Sequence, residues 1–317
     1  MWCRPEVVCW WRRCVLLRLP ITRSVAPALA LLLIMLVEPS SSATSSYDSI
    51  VPSKPLVSSY DSIVLSEPSI VMYLSGSMYG SAIEPDFSGH GHSGTYFKGG
   101  TALRTLTLPD GGITARYNGE SQHLDVADAD ALSVTTTGQL TIEAWIRPDT
   151  TSMPKHEDSG YVNWMGKGAD GEYEYVNRMY QDGNREGRAN RISGYVFNHT
   201  GGFGVGGYFQ DQVRTTQWIQ VTTVIDLTNH SRSRYGLIRI YKNAVLRQTN
   251  GLSQSYATIS APGNGTAPLR IATGNLSSYF KGGIGKVAIY KAALAPTQIA
   301  AHYKAMCPSG ARTPGCS

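Results

Sequence analysis

The chain beyond residue 68 predicts an all-β fold, a sandwich or a barrel, and three observations carry that prediction. Hydrophobic residues alternate with a period of two, Asp-Gly and Asn-Gly pairs punctuate the runs, and charge is scarce. Only 16% of the 317 residues are charged, while 33 glycines and 18 tyrosines favour strands joined by tight turns over charged amphipathic helices.

The clearest run is 140–147, where Leu140, Ile142, Ala144 and Ile146 alternate with Thr141, Glu143, Trp145 and Arg147 before Pro148-Asp149 ends it. Similar runs occupy 113–117, 123–126, 161–165, 173–180, 191–197, 218–225, 235–241, 269–272 and 284–290. Asp110-Gly111, Asn118-Gly119, Asp170-Gly171, Asp182-Gly183 and Asn250-Gly251 supply turns between them. One helix is expected, and it comes last. Pro296 suits its first position, Ile299, Tyr303 and Met306 share a face, and Leu294 can staple onto Ile299, although Ala295 is a weak cap.

The N-terminal residues predict export. Arg4, Arg12, Arg13, Arg18 and Arg23 precede the apolar run 25–37, and Ser41-Ser42-Ala43 offers a cleavage site. Residues 1–43 are therefore expected to be a signal peptide cut after Ala43, or an uncleaved anchor, the only segment through which a membrane is expected to be engaged. Either outcome puts the rest of the protein outside the cell or on its surface. Residues 44–68 are rich in Ser and Pro and carry SSYDSIV twice, at 45–51 and 58–64, which reads as a disordered linker. The sandwich is expected over 69–306 and a tail over 307–317. In that tail Cys307 and Cys316 can close a short loop in an oxidising compartment, stabilising it by about 2–3 kcal/mol.

The formal charge of +5 does not argue for nucleic acid. Residues 1–43 account for +3 of it, and no Lys/Arg-rich run follows.

Several stretches in order resemble the LamG-like (laminin G type 3) branch of the concanavalin A-like lectin/glucanase superfamily. They begin with Asp86-Phe87-Ser88-Gly89-His90-Gly91-His92-Ser93-Gly94-Thr95 and Tyr117-Asn118-Gly119 leading into His123-Leu124-Asp125-Val126. The strand 140–148 follows, then Trp218-Ile219-Gln220-Val221, Ile240-Tyr241-Lys242-Asn243, the segment 280–290 and the helix Ile299-Ala300-Ala301-His302-Tyr303. The resemblance implies a two-sheet antiparallel jelly roll, and in many relatives a calcium ion at its rim. Asp86 is the candidate oxygen ligand for Ca2+ here. Gly285 and Lys286, however, stand where many relatives keep Asp-Glu, and a lysine removes ligand charge.

Lectins, adhesion domains and glycosidases share that fold, so the site must decide the function. A retaining glycosidase needs two carboxylates about 5 Å apart. Glu172 and Glu174 share a strand face, but Val176 stands where the glucanase pattern needs a third acid. The spacing G-x-G-x-x-G at 202–207 lacks the following helix that nucleotide binding requires, and a tightly packed strand is expected instead. His90 and His92 lack a third metal ligand, and Asp125, Asp128 and Asp130 lack the glycine and distal glutamate of a calcium loop. No catalysis is expected.

Aromatic and polar residues in the middle of the chain are the better lead. Sugars are held by rings stacked on C–H surfaces and by Asn, Arg and acidic groups at the hydroxyls. Tyr175, Arg178, Tyr180, Asn190, Arg191 and Tyr208 are the candidate ligand-binding residues. Alternation sets Tyr173, Tyr175 and Asn177 on one strand face and Glu174, Arg178 and Tyr180 on the other. The expected function is that of a secreted module binding a glycan or another extracellular ligand, the alternative being a structural or adhesion domain at the cell surface.

Overall fold

The computed structural model describes residues 58–169, 173–198, 204–253, 262–307 and 316. The export segment, the first SSYDSIV copy, Glu172 and Gly202 lie outside those residues.

The described chain opens with α1 (Ser59–Leu65) and β1 (Ile70–Leu74), followed by β2 (Ile83–Glu84), β3 (Gly94–Phe97) and β4 (Arg104–Thr107). Next come β5 (Ile113–Asn118), β6 (His123–Val126), the one-turn α2 (Val134–Thr137) and β7 (Gln139–Pro148). The middle supplies β8 (Tyr161–Lys167), β9 (Tyr175–Tyr180), β10 (Ile192–Phe197) and β11 (Gly204–Tyr208). Then follow β12 (Ile219–Asp226), β13 (Leu237–Lys242), β14 (Val245–Gly251), β15 (Leu269–Ile271), β16 (Lys281–Tyr290) and α3 (Pro296–Met306).

The strands form two antiparallel eight-stranded sheets stacked as a sandwich, as the sequence predicts. The first runs β14-β13-β12-β7-β16-β5-β4, with β1 taking over from β5 along β16. The hand-over falls at a bulge where Lys286 adopts φ 54°. The second sheet runs β11-β10-β9-β8-β15-β6-β3-β2.

Between the sheets, Leu140, Ile142, Ala144 and Ile146 of β7 meet Trp164, Tyr175, Met179, Ile192 and Val196 of the second sheet in one apolar cluster. The expected alternation is therefore present on this side. On the other side of β7, Thr141, Glu143 and Trp145 are buried too. A second apolar cluster covers them, built from Tyr60, Val64, Tyr73, Trp145, Tyr241, Tyr290, Leu294, Ile299 and Met306.

That cover corrects the expected linker boundary. Ser58 is a helix cap: its side chain accepts from the Asp61 N–H, and Asp61 accepts from the Ser58 N–H. The helix so started buries Tyr60 and Val64, so residues 58–65 pack into the sandwich domain and do not belong to the linker expected over 44–68. Helix α3 lies beside it, with Ser59 Oγ donating to the Ala305 carbonyl at 2.9 Å and Tyr303 stacked on Trp145 at 5.8 Å. As the sequence suggests, Ala295 provides no side-chain cap, and Gln298 reaches back instead to accept from the Ala295 N–H. Cys307, just after this helix, is disulfide-bonded to Cys316 with the Cα atoms 5.2 Å apart.

The two helices converge on one carboxylate. Glu143 is fully buried, accepts from Tyr60 Oη at 2.6 Å and faces His302 Nδ1 at 3.1 Å. His302 Nε2 faces Glu67 Oε1 at 3.3 Å, so both ring nitrogens meet acids. Among the described residues no helix is long and apolar enough to cross a membrane.

Tyr60→Phe removes the hydroxyl that satisfies buried Glu143, and the expected cost is about 1–3 kcal/mol, seen as a lower urea midpoint with unchanged slope. Stability should also depend on His302. Burial alone would lower its pKa, but the hydrogen bond and charge of Glu143, with Glu67, prevail and raise it above the ordinary value. A raised folded-state pKa contributes stability fully present below the unfolded value of about 6.5 and lost as pH rises through the folded value. Denaturation midpoints measured across that window should fall for the native protein. They should fall distinctly less for His302→Gln.

Candidate binding face

The outer face of the second sheet is ruled in ranks by strand register. Tyr161 of β8 pairs with Tyr180 of β9, and Asn163, Arg178, Ser193 and Tyr208 stand opposite one another across β8 to β11. The next rank holds Val176, Tyr195 and Gly206, and Phe197 faces Gly204 beyond it. Small residues therefore alternate with rings, which gives the rings room to lie across the strands.

Arginines fill the spaces between the rings. The Arg178 guanidinium lies 4.6 Å from the Tyr161 ring centre and 5.2 Å from those of Tyr195 and Phe197. Arg188 comes from the β9–β10 loop and lies 4.5 Å from Tyr208, while Arg191 lies 5.5 Å from the same ring. Such contacts contribute roughly 0.5–2 kcal/mol each, more when water is excluded. Arg188 also donates to the hydroxyls of Tyr195 and Tyr180 at 3.3 and 3.4 Å and pairs with Glu186 at 2.8 Å. Glu186 in turn accepts from the Tyr161 hydroxyl.

The loop bearing Arg188 is tied down by Asn184. Its side chain donates to the Ser159 carbonyl at 2.7 Å and accepts from the N–H groups of Glu186 and Arg188. Gly183 and Gly187 take left-handed φ values there, where a side chain would be strained.

The six sequence candidates divide. Arg178, Arg191 and Tyr208 come together on this face, with Tyr161, Tyr195 and Tyr208 half-buried and so partly open to solvent. Tyr175 does not belong: it points into the sandwich core, and its hydroxyl donates to the Leu132 carbonyl at 2.9 Å. Tyr180 is on the right face but wholly buried beneath Arg188 and its neighbouring rings, so it supports the surface and cannot stack on a ligand. Asn190 is a turn residue at φ 61°, its backbone bonded to Tyr180 and Val213.

Tyr161, Tyr195 and Arg188 are missing from the sequence candidates. A hairpin centred on Asp170-Gly171 would have set Tyr161 opposite Tyr180, so that signal was present. Arg188 sits in a loop, where periodicity carries no information.

The other candidate chemistry is occupied by the fold. Asp86 accepts from the N–H groups of Tyr73, Ser88 and His92 and from the Ser88 hydroxyl. Burial would raise its carboxyl, but those hydrogen bonds prevail and hold it below the usual range. Lys286 pairs with Asp61 at 2.5 Å and Asp110 at 3.4 Å. These residues do not fit a calcium ion: the carboxylate is taken by N–H and O–H donors, and a cation already holds the position opposite the acids. Among the described residues no group of three or more His, Cys, Asp or Glu could hold a metal. Glu174 is buried against Lys167, which also pairs with Asp128 at 2.5 Å. Asp125 turns instead to His123 and Arg270, both at 3.5 Å.

The comparisons agree with this architecture. No curated protein matches the sequence. Domain 4 of AbnA, a GH43 extracellular arabinanase from Geobacillus stearothermophilus solved in complex with arabinotriose, is similar at 17% identity and TM-score 0.52, covering 74% of this chain and 98% of that one. The binding domain of botulinum neurotoxin DC in complex with rat synaptotagmin II is similar at 11% identity and TM-score 0.54, covering 75% and 52%. The binding domain of Paraclostridial Mosquitocidal Protein 1 follows at 13% and 0.52, covering 76% and 53%, so this chain spans about half the length of both toxin domains. At such identities the likeness is one of fold. The laminin G type 3 profile of the concanavalin A-like lectin/glucanases superfamily matches residues 118–300, more than half of the sequence, and the chain belongs to that family.

Proposed function

We propose that the protein is an exported carbohydrate-binding module that takes sugar on the outer face of its second sheet and does no chemistry on it. The observation that carries this reading is the set of half-buried rings Tyr161, Tyr195 and Tyr208, interleaved with Arg178, Arg188 and Arg191 on one sheet face. Flat rings give a sugar's C–H surface an apolar partner, and guanidinium N–H groups suit its oxygens. Support for a saccharide also comes from the arabinanase domain, a neighbour of the same fold whose structure holds arabinotriose.

The absence of catalysis is argued from Glu174. A general acid or nucleophile must reach its substrate, and this carboxylate is fully buried against Lys167. Export is argued from the arginines ahead of the apolar run 25–37 and the small residues that follow it.

Two measurements test the proposal. The purified protein on a glycan array should retain a restricted set of saccharides, and Tyr195→Ala and Tyr208→Ala should each weaken that retention about tenfold, the scale of one lost stacking contact. A folded protein that retains no glycan overturns the proposal. N-terminal sequencing of the exported protein should begin at Thr44; an intact N-terminus in a membrane fraction would favour the surface-anchored form.

A further inference from the structure

Three Lys or Arg side chains are buried among the described residues: Lys167, Lys286 and Arg178. Two of them are neutralised. Lys167 meets Glu174 and Asp128, and Lys286 meets Asp61 and Asp110. Arg178 is 9% exposed and, among the described residues, meets the rings of Tyr161, Tyr195 and Phe197 and no carboxylate. Its Nε is buried with no hydrogen-bond acceptor among those residues.

A guanidinium carries five donors, and ring faces compensate its charge without accepting those N–H groups in line. Burying a cation in this way is costly unless an anion completes it. The neighbours do not supply one. Arg188 and Arg191 add two more positive charges beside it; among the described residues Glu186 is engaged by Arg188 and the Tyr161 hydroxyl, and Asp182 by Thr151 and Asn190. The Arg191 Nε is likewise buried without an acceptor. Two guanidinium groups with unmet donors thus stand close together, Arg178 on β9 and Arg191 just before β10 opposite Tyr180, on the face of the half-buried tyrosines.

We propose that the saccharide recognised here is acidic, and that its anionic group, a carboxylate or a sulfate ester, is received by Arg178 and Arg191. This rests on the glycan-binding reading and sharpens it. The planar fork of Arg178 matches two oxygens of one anionic group, a geometry that a lysine cannot reproduce. The rings around it exclude water from that pair and strengthen it.

The test uses matched pairs of probes on the full exported protein, followed by calorimetry. The galacturonic acid trisaccharide is compared with the galactose trisaccharide, and 6-sulfated lactose with lactose. At least one acidic member should bind about tenfold or more tightly than its neutral partner, the scale of a charge-assisted bidentate contact. The pair that discriminates identifies the carboxylate or the sulfate as the group received. Arg178→Lys and Arg191→Gln should each bring that ratio to within about twofold, and thermal melting checks that they fold. If Arg178→Lys unfolds, the half-buried Arg191→Gln carries the test alone. Equal binding of acidic and neutral members in the native protein overturns the acidic ligand and leaves glycan binding standing. A folded variant that keeps the full ratio overturns the role of its arginine. Retention of none of the four probes, together with a blank glycan array, overturns the underlying reading itself.

Discussion

Glu143 has to be paired before the rest of the domain can close. It sits mid-strand on β7, between β12 and β16 at the middle of the first sheet, and no solvent reaches it. A buried carboxylate stripped of its partners costs several kcal/mol, about 3–5 where a buried pair is broken. The partners come from opposite ends of the domain, Tyr60 from the first helix and His302 from the last. Satisfying one side chain therefore brings both helices onto the outer face of the first sheet. The indole of Trp145, one position away on that face, then acquires Tyr60 at its edge and Tyr303 on its plane.

This closure decides which face is available to a ligand. The first sheet is covered on both sides around Glu143, whereas the outer face of the second meets solvent in the region of Tyr161, Tyr195 and Tyr208. The two outer faces also differ in charge. On the first, acids gather around Tyr60, Lys286 and His302 and are matched. On the second, around β9 and β10, arginines outnumber acids and lie on rings instead. A face rich in cations and aromatic surface is poorly matched by its own chain, which is how a binding surface differs from a packed one.

Much of the fold was legible in the sequence because strand signals are local. The run from Leu140 to Arg147 declares its period within eight residues, and Pro296 with Gln298 declares the last helix. What covers a strand is not local. Alternation does not reveal that Thr141, Glu143 and Trp145 are buried as well, because the cover of Glu143 comes from 83 residues before it and 159 after it. The first helix was masked by its Ser-rich setting and by its repeat, although Ser58 and Asp61 hold the spacing of a capping box just ahead of Ile63 and Val64. For the site, period two separated Tyr175 from Arg178 correctly, but it could not say which of the two faces looked inward. That depended on Tyr175 meeting Leu132 and on the apolar residues of β7 lying opposite.

The glycine run after residue 203 shows how one spacing can serve packing instead of chemistry. Gly206 stands opposite Tyr195, and a Cβ there would come within 1.9 Å of the Gly194 carbonyl oxygen. At Gly204 a Cβ would meet the Phe197 ring at 2.7 Å, and at Gly207 the Gln248 side chain at 2.7 Å on the opposite side of the strand. At Gly206 the obstacle is backbone, so β11 pairs with β10 only with a glycine there, whereas a side chain at Gly204 or Gly207 would have to push the Phe197 ring or Gln248 aside. The consequence reaches the proposed binding face directly. Because Gly204 has no side chain, the Phe197 ring can cover it, and the Arg178 guanidinium lies 4.6 Å from the Tyr161 ring centre and 5.2 Å from those of Tyr195 and Phe197. Of the glycines in the spacing that imitates a nucleotide loop, Gly204 thus makes room for the Phe197 ring and Gly207 for Gln248.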